Sequence, residues 1–109
     1  MKKLGIKPFY AKLSIQDMDG DVLNINVTEH TVLFELNDEE ILLPFKQVKE
    51  VLKFHRTIRR CVVVREKEWL SLSLLSLERY ILMRVGCKEI CLTQRQWKLV
   101  KSFLSEVIE

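Results

Sequence analysis

The chain is predicted to be an α+β domain made of two pseudo-symmetric β-β-β-β-α units, with two antiparallel sheets and two packed helices. Short segments of alternating apolar and polar residues recur along both halves, the pattern of half-buried strands. Each set of strands is followed by a stretch with helical apolar spacing. The two stretches also match: Glu40 to Phe54 lies against Glu89 to Phe103 at a constant offset of 49. Ile41 matches Ile90, Leu43 matches Leu92, Gln47 matches Gln96, Val48 matches Trp97, Lys49 matches Lys98, Val51 matches Val100 and Phe54 matches Phe103. A gapless repeat of this kind points to one structural unit used twice. At 109 residues, the chain is a single domain over 1–109, with repeats of about 8–57 and 58–109.

In the first unit, Lys12–Gln16 alternates, and Asp19-Gly20 offers a turn into Val22–Val27. Thr31–Leu36 follows, with a turn at Asn37-Asp38 before Ile41–Leu43. Pro44 suits the start of a helix, predicted to run over 44–56. In the second unit the strands are Cys61–Arg65, Trp69–Leu74, Tyr80–Val85 and Ile90–Leu92; Leu70–Leu77 also fits a helix. Thr93 is a natural N-cap and Gln96 completes a capping box. Trp97, Val100, Phe103, Leu104, Val107 and Ile108 then share one face of a helix over 93–107, which makes Trp97 a core residue.

Hydrophobic residues make up 48% of the chain and charged residues 30%, a globular balance with too few Gly and Pro for disorder. No apolar run reaches the ~20 residues that span a bilayer, so no membrane partner is expected. The N-terminal Met-Lys-Lys-Leu-Gly-Ile-Lys-Pro lacks a following apolar stretch, so no signal peptide is expected. Cys61, Cys87 and Cys91 are an odd number in apolar contexts, read as buried thiols of a reducing, intracellular compartment, cytoplasmic or nuclear. Their spacing is not that of a zinc site.

Charge is unevenly divided. Residues 1–52 hold 6 Lys and Arg against 9 Asp and Glu, a balance of −3; residues 53–109 hold 12 against 6, a balance of +6. Such polarity fits a polyanion-binding face in the second unit as well as an ordinary solvated one. Binding of a single strand needs cations for phosphates and exposed aromatic or Arg planes for bases. Arg59, Arg60, Arg65, Arg79, Arg84 and Lys88 supply the cations, and Trp69 and Tyr80 the candidate platforms. On a strand, Tyr80, Leu82 and Arg84 share one face and Ile81, Met83 and Val85 the other. The second set is core-like, which places Tyr80 and Arg84 together outside.

Enzyme chemistry finds no constellation. His30 and His55 are isolated, and neither a nucleophile elbow nor a Gly-rich phosphate loop is present. Asp17-Met-Asp-Gly-Asp21 alternates like an ion-binding loop, but its downstream ligand positions fall on a predicted strand, so a hairpin turn is the better reading. No catalytic residue, metal or cofactor is expected.

The run Lys88-Glu-Ile-Cys-Leu-Thr-Gln-Arg-Gln-Trp-Lys-Leu-Val-Lys101 also resembles the terminal strand–helix signature of the positive cofactor four family of transcriptional coactivators, K-G-I-S-L-T-x-x-Q-W-x-x-L-K. The preceding strand, Tyr80-Ile-Leu-Met-Arg-Val85, resembles that family's Y-V-D-I-R-E, with Leu82 at the acidic position and Glu89 at the Gly of K-G-I. The resemblance covers roughly residues 79–104. It implies single-stranded DNA or RNA binding with little sequence preference, alongside transcription or replication machinery. In that family two chains each supply one half around a twofold axis. The internal repeat implies that one chain supplies both, a plan similar to the plant Whirly proteins and the Pur-type repeats, acting as a monomer or pairing again as a homodimer. Two other readings stand beside it. One is a pleckstrin-homology-like interaction module, in which Pro44–Phe54 is a strand and the repeat is coincidence. The other is a structural subunit that dimerises through its helices within a viral or transcription assembly. The conformation of residues 44–56 separates the first of these from the two-unit fold.

Overall fold

A computed structural model describes residues 11–54, 59–67 and 70–108. The element order is β1 (Ala11–Gln16), β2 (Val22–Val27), β3 (Thr31–Leu36), β4 (Glu39–Pro44), α1 (Phe45–Leu52), β5 (Arg60–Lys67), β6 (Leu70–Ser76), β7 (Tyr80–Val85), β8 (Lys88–Thr93) and α2 (Gln94–Ile108). Each half is a four-stranded antiparallel meander, β1-β2-β3-β4 and β5-β6-β7-β8. The α+β fold of two β-β-β-β-α units is therefore observed. Residues 45–52 are helical, where a pleckstrin-like fold would require a strand.

The offset of 49 extends well beyond the stretch where it is legible in sequence. It carries β3 onto β7 and β4 onto β8 end for end, and the first residues of β1 and α1 onto those of β5 and α2. Hairpin register follows it too: Thr31 faces Pro44 and Tyr80 faces Thr93, while Leu23 faces Leu36 and Leu72 faces Val85. Both β3–β4 and β7–β8 turn through two residues, and the first residue of each loop has positive φ: Asn37 at 55° and Gly86 at 60°. Asn and Gly tolerate that left-handed conformation with the least strain. Each turn is tied back in the same way, Asn37 N–H donating to the Val22 carbonyl at 3.1 Å and Gly86 N–H to the Ser71 carbonyl at 2.9 Å.

Inward-facing residues of both sheets merge into one core. Leu23, Ile25, Val32, Phe34, Ile41 and Leu43 from the first unit meet Leu72, Leu74, Ile81, Met83, Ile90 and Leu92 from the second. Full burial of each such side chain contributes ~1.5–3 kcal/mol relative to exposure. Val48 and Val51 of α1 and Trp97, Val100 and Leu104 of α2 complete the core. The units interlock: α1 packs on β5 of the second unit, α2 packs on β1 of the first, and the helices touch each other. Where they meet, the Phe54 and Trp97 rings pack edge to face at 5.7 Å, a favoured aromatic geometry. The two inner hairpin tips cross over reciprocally. Glu39 Oε1 accepts the Cys87 N–H at 3.1 Å and Lys88 Nζ lies 3.8 Å from Asp38 Oδ1. Because 38 and 39 are equivalent to 87 and 88, the same residue pairing recurs on both sides, through different atoms.

The two units also depart from symmetry locally. Helix α1 stops at Leu52, short of the expected 56, and the residues from 55 to 58 lie outside the described residues. Phe54 leaves the helix and is fully buried, whereas its counterpart Phe103 stays helical and half-buried. Strand β5 is bulged between Val62 and Val64 and again between Arg65 and Lys67, which breaks its register with β6. The helix starts also differ. Thr93 Oγ1 accepts the Gln96 N–H at 3.1 Å and Gln96 Oε1 accepts the Thr93 N–H at 3.0 Å, the expected capping box, while Pro44 makes no side-chain cap. Leu70–Leu77, whose spacing also fits a helix, is mostly strand β6.

The acidic segment after β1 is a hairpin turn. Asp17 Oδ1 accepts the N–H groups of Asp19 and Asp21, both at 2.9 Å, and Gly20 takes φ 89°. The cysteines depart from expectation: all are free, but Cys87 sits exposed in the β7–β8 turn and Cys61 and Cys91 are half-buried. Strand alternation explains Cys91, which falls between the inward-facing Ile90 and Leu92, whereas Cys61 lies opposite buried Leu74 and packs against the core from the edge strand β5. Among the described residues no helix is long and apolar enough to cross a membrane.

Candidate nucleic-acid interface

Antiparallel register lays the outer face of the second sheet out in rows. Val62, Ser73, Arg84 and Glu89 form one row, and Arg60, Leu75, Leu82 and Cys91 the next. Tyr80 and Thr93 form a third at the sheet end where α2 begins. The split expected for β7 is observed: Ile81, Met83 and Val85 are buried, Tyr80 and Leu82 are half-buried and Arg84 is exposed.

Tyr80 and Arg84 share this face, but they are not adjacent. Leu82 stands between them, and four residues of strand separate them by ~13 Å at ~3.3 Å per residue. The Arg84 guanidinium is also engaged, since both its Nε (3.0 Å) and an Nη donate to Glu89 Oε2. That partner is implicit in the chain, because a two-residue loop at Gly86-Cys87 forces Arg84 opposite Glu89. Lys88 faces Asp38 across the hairpin tips. Two of the expected cations thus have acidic neighbours, although exposed pairs of this kind are worth little and yield readily to a competing anion.

The other cations gather at the opposite end of the sheet. The Arg59 carbonyl accepts the Ser76 N–H at 2.9 Å and the Tyr80 carbonyl accepts the Leu77 N–H at 2.8 Å. These bonds bring the start of β5, the end of β6 and the start of β7 together. Arg59, Arg60 and Arg79 are exposed there beside Tyr80, with no ion-pair partner among the described residues. Arg60 also lines a shallow recess of about 110 Å³ with Val62, Leu82 and Arg84. Arg65 lies on β5 at the Ser71 end, and its side chain, like all of Trp69, lies outside the described residues.

Two features of this face are not visible in the sequence. Val62, 49% exposed, and half-buried Leu75 and Leu82 give it an apolar middle; only strand register reveals that they are neighbours. A cleft of about 360 Å³ also opens beside Tyr80, walled by Asp17, Met18 and Asp19 of the first unit. Nothing within the second unit announces it. The field of those carboxylates reaches the sheet: burial, then the charges of Asp17, Asp19, Glu89 and Asp21, push the Cys91 thiol above its ordinary pKa. No family model, curated protein or solved structure matches this chain.

Proposed function

We propose that the protein binds single-stranded nucleic acid, DNA or RNA, across the outer face of its second sheet, without acting as an enzyme. The observation that carries this reading is the grouping of Arg59, Arg60 and Arg79 at the Tyr80 end of a sheet whose outer face has an apolar middle. An aromatic ring serves any base, apolar side chains accept the rest of a stacked strand, and arginines with no ion-pair partner among the described residues take the phosphates. Little sequence preference follows over most of such a face, because stacking and phosphate contacts do not read base edges. The resemblance of residues 79–104 to the positive cofactor four signature supports the same reading, as does the +6 balance of the second half. A place in transcription or replication machinery, and pairing into a homodimer, extend it.

Fluorescence anisotropy with labelled oligo-dT and a duplex of equal length, at low and moderate salt, tests the proposal. The expected result is preferential binding of the single strand that weakens as salt rises. No binding of the single strand at micromolar protein in low salt overturns it, and a structural or protein-interaction role then leads.

A further inference from the structure

The cleft beside Tyr80 is where the two units meet around an open space. On the second unit its walls are Tyr80, Thr93 and Gln96; on the first they are Asp17, Met18 and Asp19. Its volume of about 360 Å³ lies in the range of small-molecule sites and exceeds what one nucleobase needs. The polar groups lining it are not equally available. Gln96 is held at both ends, its Oε1 accepting the Thr93 N–H and its Nε2 donating to the Gln16 carbonyl at 3.2 Å, which leaves one Nε2 hydrogen for a ligand. Thr93 Oγ1 caps α2 through the Gln96 N–H. Asp17 spends Oδ1 on its own turn, but its other carboxylate oxygen makes no bond there. Carboxylate oxygens of Asp17, Asp19 and Asp21 lie within 4.8 Å of one another, and among the described residues no cation pairs with them. Met18 beside them is 90% exposed.

Resting on the nucleic-acid reading above, we infer that this cleft receives one base of the bound strand and selects guanine. Three constraints converge on it. The carboxylates repel a phosphate, so a strand lying on the basic face can present only a base here. Tyr80 belongs to both the outer face and the cleft, so a base stacked on its ring stays connected to the strand, with Met18 on the opposite wall. The free acceptors are carboxylate oxygens, which favour paired N–H donors in a fork, as an arginine offers. Guanine alone presents two adjacent donors on its Watson–Crick edge, N1–H and N2–H₂. Adenine and cytosine offer one amino group, and thymine a single N–H. The outer face thus binds without regard to sequence, and the cleft fixes which base sits at its end.

The test is anisotropy with oligo-dT and the same oligomer carrying a single terminal dG, dI or dA. One dG is expected to tighten binding about tenfold, as a bidentate base contact does. Deoxyinosine, which lacks the N2 amine, is expected to recover only part of that gain, and dA none. Asp17→Asn and Asp19→Asn are expected to abolish the dG advantage without weakening oligo-dT binding. Asn at 17 keeps the Oδ1 acceptor that holds the turn, and circular dichroism checks the fold of each variant. Oligo-dT binding with no gain from dG, or a gain that survives in the double variant, overturns the inference and leaves the proposed function standing. No binding of any oligomer overturns both.

Discussion

The outer faces of the two sheets share one backbone plan and some residues, Leu33 with Leu82 and Glu40 with Glu89, but differ in charge and in the residues that could meet a base. Glu35 occupies in the first sheet the place of Arg84 in the second, and Thr31 the place of Tyr80. Asn26, equivalent to Leu75, donates from Nδ2 to Glu35 at 2.8 Å, so the first face holds a hydrogen-bonded acidic patch where the second has a leucine and an arginine. The inward faces diverge less: Phe34 and Met83, Ile41 and Ile90, and Leu43 and Leu92 are equivalent pairs and all buried, although Val27 is matched by Ser76. Packing density punishes a polar change on the inner face, while outward positions are free to vary once the strand pattern is kept. A repeated unit can thus keep one fold and assign different work to its two surfaces.

The largest expected effect concerns the core rather than the faces. Trp97→Ala should cost ~3–5 kcal/mol in urea unfolding, since it leaves a cavity against Phe54. Val48→Ala at the equivalent position should cost less, because a smaller volume is removed. Equal destabilisation would show that the volume removed does not set the cost at these two equivalent positions.

Binding separates the faces next. Tyr80→Ala should weaken single-strand affinity by ~1–3 kcal/mol with unchanged stability, and Thr31→Ala should leave affinity alone. If both variants bind equally well, the second face is not the platform. Arginine substitutions then locate the phosphates. Arg59→Ala with Arg60→Ala should lower the salt slope by ~0.7 for each phosphate no longer neutralised, more than Arg84→Ala, whose guanidinium already faces Glu89. The reverse order would move the strand to the other end of the sheet.

Helix starts provide a smaller contrast. Thr93→Ala should cost about 1 kcal/mol because the capping box is removed. Pro44→Ala removes no side-chain cap and should cost less by the same unfolding measurement. The smallest effect is chemical. Iodoacetamide should label exposed Cys87 first and Cys91 and Cys61 later. Burial raises the pKa of both slower thiols, with added acidic fields from Asp17 at Cys91 and Glu50 at Cys61. The fold therefore favours their protonated forms, a contribution complete below the unfolded thiol pKa and lost as pH climbs through the higher folded value. Asp17→Asn should speed labelling of Cys91 and leave Cys61 unchanged.

Sequence alone determined the elements and their duplication. Alternation marks the strands, the spacing of Val48 and Val51 or of Trp97, Val100 and Leu104 marks the helices, and Thr93 with Gln96 marks a helix start. These are local patterns, set by which side of a strand or helix must leave water. The inward and outward sides of β7 were legible for the same reason. The site was legible only in its residue types. Which cations are already paired depends on residues such as Glu89 and Asp38, reached through hairpin geometry or across the pseudo-twofold. That the acidic turn of the first unit closes a cleft on Tyr80 of the second depends on α2 packing over β1, where segments 80 residues apart meet at Gln16 and Gln96. Periodicity records the environment of each residue along its own element. Only tertiary packing decides which elements face each other, because that choice rests on the summed fit of both units.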